Sequence, residues 1–550
     1  MAQHYQADVL IVGGGIAGVT VALELLDRGF GGRILMLDRD APEGFGGLAR
    51  EAFGGMFFVD TPEQRRGRFR DSPDLAWRDW QSFAEYGPGE EWPRAWGRAY
   101  VERCTDQVYR WLRARGIRFL PVVNWVERGQ YRPGNSVPRF HMVWGTGRFL
   151  ADTLVARLRR HPRADAVTTL FGHRVEELTT SAGCIDGCRG RCEGDGGEFE
   201  ASAGAVIVAT GGINGDLGQV RRHWHGDWSS PPAVILNGAH RFADGTLHRA
   251  VERRGGSVTH LDRMWNYAAG VHHPAPTRPG HGLSLVPCRS ALWLNSRGER
   301  IGPEPLISGF DTRELITRIC REPGQYSWQV LNRRIAVREF AISGSEHNPA
   351  IRHRRRLAFA RTILLGNPAL VDDMLENCID FVSADTPAEL AQRMNTLTGS
   401  DDVDPQVLER GLRQWDEHLD RGRTFHNDDQ LRRLAQARRY RGDRMRLCKY
   451  QKLLDPRAGP LIAIREFIVS RKSLGGIRTD LQSRVLDTAG APIPGLYAVG
   501  EAAGFGGGGM HGLRALEGTF LGGCVLSGRI AGRSIAGGDD ASTSTRAVKF

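Results

Sequence analysis

The turn Gly13-Gly14-Gly15-Ile16-Ala17-Gly18 constrains this chain more than any other stretch. Ahead of it runs Val9-Leu10-Ile11-Val12, an apolar, β-branched segment of the kind buried on both faces of a parallel sheet. Behind it, residues 19–26 read as a helix, and a second apolar run, Ile34-Leu35-Met36-Leu37, ends in Asp38. Strand, GxGxxG, helix, strand and acid, in that order and spacing, predict a dinucleotide-binding βαβ unit. Gly13 permits the tight turn, Gly15 a close backbone approach by a pyrophosphate, and Gly18 the packing of helix on strand. The free N–H groups and the dipole of the helix N-terminus favour phosphate oxygens. Asp38 is placed to accept hydrogen bonds from an adenosine ribose.

The next segments choose between dinucleotides. A second glycine-rich stretch, GGLAREAFGGM at residues 46–56, follows directly on the second strand, where a nicotinamide dehydrogenase would proceed to further βα units. A long backbone-rich loop suits a larger, extended cofactor. Farther on, Ala205-Val206-Ile207-Val208 is another buried strand and runs into the turn Ala209-Thr210-Gly211-Gly212. Together these point to FAD.

At 550 residues the chain exceeds what one hydrophobic core usually supports, so two domains are expected. No run of 18 apolar residues occurs, and no membrane span is expected. The first strand begins by Ala7, leaving no room for a signal peptide, and the cytoplasm is the expected location. A net charge of +11 rests on arginine, with lysine only at 449, 452, 472 and 549. The arginines are scattered apart from clusters at 352–356 and 438–441, so nucleic-acid binding is not expected. The nine cysteines contain neither a CxxC pair nor a CxxCH haem-attachment motif. Cys184, Cys188 and Cys192 repeat every four residues in a glycine-broken hairpin, which aligns them on one sheet face without making a metal site of them.

Six motifs in order resemble the flavoprotein superfamily of fumarate reductase, succinate dehydrogenase and 3-ketosteroid dehydrogenase. After GGGIAG come Ala243-Asp244-Gly245, the stretch LWLNSRGERI at 292–301, and Asp385-Thr386-Pro387 opening a helix. Ser473-Leu474-Gly475-Gly476 and Gly495-Leu496-Tyr497-Ala498-Val499-Gly500-Glu501 complete the set. The segments around residues 48–66, 134–147 and 504–523 are similar to the FAD-binding dehydrogenases near the ketosteroid enzymes. The resemblance implies an α/β fold: a two-dinucleotide-fold, Rossmann-like FAD domain, discontinuous in sequence, with an inserted α+β cap. Residues 1–260 and 456–538 would form the FAD domain, 261–455 the cap, and 539–550 a flexible tail.

It further implies FAD contacts from Gly13, Gly15, Ile16, Ala17, Gly18, Asp38, Arg39, Gly47, Leu48, Ala49, Gly54, Gly55, Val175, Ala209, Thr210, Gly211, Gly500, Glu501, Gly518 and Thr519, and no metal. Glu501 would hold the ribityl chain, the glycine run after it would follow the isoalloxazine, and the helix from Thr519 would aim its N-terminus at flavin N1. No histidine occurs between His4 and His141, so the FAD is expected to be non-covalent.

The expected reaction moves a proton and a hydride across a carbon–carbon bond beside a carbonyl, on a ketosteroid-like or other cyclic, hydrophobic small molecule. Fumarate-type reduction of small carboxylates and an FAD-binding redox scaffold stand as alternatives. Tyr267, Lys472, His511 and Arg514 are the catalytic candidates. Lys472 replaces the histidine of the dicarboxylate enzymes' HTMGG, while their HGxNRLGGN appears as HGLRALEGT at 511–519, in which His511 and Arg514 survive. Glu517 adds a negative charge that would repel a dicarboxylate. Phe467-Ile468 stand where the ketosteroid desaturases carry a tyrosine, so Tyr267 is the chosen replacement, ahead of Tyr131 and Tyr440. His141 and Arg313 are further residues open to either a structural or a site role. The electron partner and oligomeric state are left open.

Overall fold

The computed structural model describes residues 2–537; the expected tail at 539–550 lies outside the described residues. Its first layer is a six-stranded sheet in the order Arg484–Leu486, Pro492–Ala498, Ala205–Val208, Val9–Val12, Ile34–Leu37, Val167–Leu170. All neighbours in it are parallel except the edge strand Arg484–Leu486. The three central strands at 9–12, 34–37 and 205–208 are buried along their whole length, as their unbroken apolar runs require.

Two helices, Ile16–Asp27 and Thr519–Ile535, share one face of this sheet although they come from opposite ends of the chain. They approach closely because Gly528 and Gly532 face the first helix: a Cβ on Gly528 would stand 2.7 Å from the Ala17 carbonyl, and one on Gly532 2.8 Å from Glu24 Cβ. Glu24, buried at this contact, accepts from Arg529 at 2.7 Å and Arg533 at 3.0 Å. Over the opposite face lies a four-stranded sheet in the order Gln3–Gln6, Glu198–Ser202, Cys184–Cys192, His173–Ser181. Its three cysteines are free; Cys188 is buried in the inter-sheet core and Cys184 is exposed at the strand end.

A second hydrophobic core surrounds an eight-stranded sheet. Its axis is the strand Leu461–Ser473, which pairs with Met264–His272, Ser327–Asn332, Ile235–Asn237 and Phe381–Ala384. The sheet therefore draws strands from both sides of the stretch 261–455. Helices Pro387–Thr398, Pro405–Asp420 and Asp429–Arg439 complete it. Each begins with a side-chain cap, from Thr386, Asp404 and Asp428 respectively. The axial strand thus carries its C-terminal residues, Lys472 and Ser473, out of this core to the first sheet.

Candidate active site

One continuous cavity runs from the Gly13–Gly15 turn to the second core. All the residues expected to hold the cofactor line it except Gly18, Gly500, Gly518 and Thr519, which stand behind its wall. Gly18 is a packing residue: a Cβ there would lie 2.1 Å from the Gly13 carbonyl oxygen. Gly15 is different, since a Cβ there would meet nothing within 4 Å. That open space lies at the start of helix Ile16–Asp27, whose first turn has neither a side-chain cap nor an acid. Helix Thr519–Ile535 also begins without a cap or an acid in its first turn. Two long helices thus leave N-terminal N–H groups for an outside acceptor, in contrast to the capped helices of the second core.

Asp38 ends the second strand on the cavity wall, its oxygens accepting from Gly14 N at 2.6 Å and Asp40 N at 2.7 Å. Burial raises its pKa against the pull of those bonds. Each carboxylate oxygen retains acceptor capacity for a ribose hydroxyl. Arg39 bridges Glu193 at 2.5 Å and Asp244 at 2.9 Å beside it. Glu501 Oε1 accepts from Ser473 N at 2.9 Å, and burial lifts its pKa to about 6. Open space at Gly15, uncapped helix starts and carboxylates at two stations fit an extended dinucleotide.

The glycine run after Glu501 departs from expectation. Of residues 500–516 only Glu501 and Phe505 line the cavity. The run is buried against other protein: a Cβ on Gly506 would stand 2.4 Å from Trp96, and one on Gly507 2.7 Å from the Trp92 backbone. Gly506 and Gly507 are required by close packing on the helix Glu91–Arg103, and Gly504, Gly508 and Gly512 by Leu474, Thr259 and Ala84, while the cavity wall resumes at Glu517, Phe520 and Leu521.

The polar centre is built by strand register. Met264–His272 runs antiparallel to the axial strand, with Trp265 opposite Lys472 and Tyr267 opposite Val469. Trp265 and Tyr267 are two apart, so both rings leave one face of the sheet. Trp265 Nε1 and Tyr267 Oη both donate to Glu517 Oε2, each at 3.1 Å. Lys472 Nζ sits 4.4 Å from the Phe520 ring centroid and 5.4 Å from that of Tyr267. Burial, then the neighbouring Glu517 charge, raises the Tyr267 pKa well above the ordinary phenol value. Burial and Arg471 bring Lys472 down to about 8.

Glu127 also lines the cavity, where it accepts from Thr312 Oγ1 at 2.6 Å. Burial and the Asp311 charge push it up to about 8, so it holds its proton at neutral pH. Burial likewise lifts Asp311 to about 6.

Of the four catalytic candidates, Tyr267 and Lys472 come together in the cavity; His511 and Arg514 do not line it. His511 is wholly buried, stacked on Trp80 with centroids 5.7 Å apart, and burial lowers its pKa to about 3. Arg514 is ion-paired to Glu85 and, at 3.2 Å, to Asp311. His141 is buried between Thr61 Oγ1 and the Arg139 carbonyl. Arg313 is 6 % exposed and paired with Asp227, off the cavity and within the protein rather than on its surface. Tyr131 is 56 % exposed, and Tyr440 donates to the Val123 carbonyl. Glu127 escaped sequence reading, and Glu517 was legible only as a charge. The alternation Trp265-x-Tyr267 was the available signal that two ring donors share one acceptor.

Comparison with known proteins agrees with this geometry. A family model described as an FAD binding domain matches residues 8–521. A KsdD-like steroid dehydrogenase of Mycobacterium tuberculosis is 42% identical over 97% of this chain and 96% of its own. Among solved structures, 3-ketosteroid delta1-dehydrogenase from Sterolibacterium denitrificans superposes with a TM-score of 0.68 at 16% identity, covering 97% of this chain and 99% of that one. The 3-ketosteroid-delta4-(5alpha)-dehydrogenase of Rhodococcus jostii gives 0.64 at 20% identity, with 97% of both chains covered. These last two likenesses concern the fold.

Proposed function

We infer the reaction from membership: the chain belongs to the FAD binding domain family and is an FAD-dependent oxidoreductase acting on CH–CH groups. We propose that its substrate is a 3-ketosteroid or a similar fused-ring ketone, dehydrogenated beside the carbonyl or formed by the reverse reduction. The observation that carries this reading is the Tyr267–Glu517 hydrogen bond on the wall of a cavity otherwise apolar at Ala268, Ala269, Leu285 and Leu315.

Bound FAD, which we propose is held non-covalently, supplies a two-electron hydride acceptor. The remaining work falls to the chain. Tyr267, protonated in the resting protein, receives the proton leaving the carbon alpha to the carbonyl while its own passes to Glu517 Oε2. Glu127, protonated at neutral pH, is our candidate donor to the carbonyl oxygen as charge builds there. Lys472 keeps positive charge beside the reacting region. The apolar wall orients the rings and excludes water.

Among the described residues no helix is long and apolar enough to cross a membrane. We propose a cytoplasmic enzyme with a separate electron partner. Fumarate-type reduction fits less well, because the Glu517 carboxylate on the cavity wall opposes a dicarboxylate. The test is anaerobic mixing of the purified yellow protein with saturated and unsaturated 3-ketosteroids. Bleaching of the flavin by a ketosteroid supports the reading. A flavin untouched by every ketosteroid, but reoxidised by fumarate once reduced, would overturn it.

A further inference from the structure

The second core contributes a charged group to the cavity that the reaction above does not use. Arg289, Asp443 and Arg446 all line it. Asp443 is shared: one oxygen pairs with Arg128 and the other accepts from Arg289 Nη1 at 2.9 Å. Glu339, the other carboxylate at this wall, is consumed by the protein itself. It accepts from Ser290 N at 3.0 Å, Ser290 Oγ at 2.6 Å and Cys448 N at 2.7 Å.

Arg446 is thereby left over. Among the described residues no carboxylate lies within 4 Å of its guanidinium, and its one hydrogen bond goes to the Glu339 carbonyl at 3.5 Å. Burial, then the Arg289 charge, depress its pKa against the pull of Asp443 and Glu339, neither of which is close enough to pair with it. A half-buried guanidinium on a cavity wall with a single weak acceptor has donors to spare, and an anion supplied from outside would take them up. The surroundings say what kind of anion. Leu285, Val286, Pro287 and Leu447 line the same wall, so an ion bound here must be attached to an apolar body. The strand Gly282–Val286 runs antiparallel beside Met264–His272, with Gly270 opposite Ser284, and leads directly into the loop that carries Arg289.

We propose that this end of the cavity recognises a carboxylate, and that the substrate is a ring ketone bearing an acid group remote from the carbonyl. The inference rests on the ketosteroid reading of the same site and narrows its substrate class from neutral ketones to keto acids. Arg446 binds the carboxylate, and Arg289, fixed by Asp443 and the Ser308 carbonyl, supports it from the side.

The experiment compares a 3-ketosteroid-17-carboxylic acid with its methyl ester on the FAD-loaded protein. Binding is followed by perturbation of flavin absorbance and turnover by kcat/KM. The acid should be preferred by about 10- to 100-fold, the worth of a charge-assisted hydrogen bond. In Arg446→Met the acid-to-ester ratio should fall to near one, and Arg446→Lys should keep part of it. An ester oxidised as well as the acid by the unaltered protein sinks this proposal and leaves the ketosteroid reading standing. A ratio unchanged in Arg446→Met overturns it also. If neither compound binds or bleaches the flavin while 3-ketosteroids without an acid group do, this proposal alone falls; if no ketosteroid of either kind does, the ketosteroid reading falls with it.

Discussion

Tyr267 and Glu517 stand 250 residues apart, yet the tyrosine hydroxyl donates to the glutamate Oε2 at 3.1 Å. The first lies on a strand of the second core and the second just ahead of the helix Thr519–Ile535, so the bond closes only when both halves of the cavity are in place.

Removing either end of this bond should cost turnover rather than cofactor. Tyr267→Phe and Glu517→Gln are each expected to lower kcat/KM by about 10²- to 10⁴-fold, the usual range for a proton-transfer group. Flavin content, read from the visible spectrum, should stay at the wild-type level. A double variant no slower than either single one would show that the two act as a unit.

Lys472 sets a pH limit. Its ammonium is the charged form, so raising pH through about 8 removes the positive charge from the cavity. Activity that depends on that charge should be full below this value and decline above it, as kcat/KM measured against pH. Lys472→Arg should shift the decline out of the range, since a guanidinium does not deprotonate there.

The dinucleotide turn is the place to lose the cofactor. In Gly18→Ala the new Cβ would stand 2.1 Å from the Gly13 carbonyl, which forces helix and turn apart. We expect FAD affinity to fall at least about tenfold, equivalent to ~1.4 kcal/mol, with colourless protein after gel filtration. Gly15→Ala is sterically free of protein, so any loss of flavin in it reports on the ligand itself.

Arg139 offers a stability test away from the cavity. It is wholly buried between Asp71, at 2.8 Å, and Asp79, at 2.5 Å. Arg139→Met would strand two acids in the interior at a cost of about 3–5 kcal/mol. The urea midpoint of flavin release should drop accordingly, whereas the triple change of Arg139, Asp71 and Asp79 to apolar residues should recover most of it.

The cofactor half of this protein was legible because its chemistry is local. A strand, a glycine turn, a helix and Asp38 follow one another in about forty residues, and each glycine answers a contact within that unit. The half we propose as reacting is assembled from Glu127, Tyr267, Lys472 and Glu517, which no spacing rule connects. His511 and Arg514 are the instructive misses. They sit in a recognisable motif, but the backbone around them turns inward, so one packs on Trp80 and the other pairs with Glu85 and Asp311. A motif fixes residue types; the direction in which a side chain leaves the loop depends on packing partners hundreds of positions away.

The buried glycine run carries a consequence for anyone who would take this molecule apart. Its composition invites a cut, a tag or a circular permutation, as exposed flexible segments do. Residues 502–512 instead behave as mortar between the helix Glu91–Arg103 and the sheet, and nothing larger than hydrogen fits several of the joints. A protease should pass over this stretch in the folded protein, and an inserted sequence should separate Glu501 from Glu517, parting the carboxylate we assign to the cofactor from the one we assign to the proton.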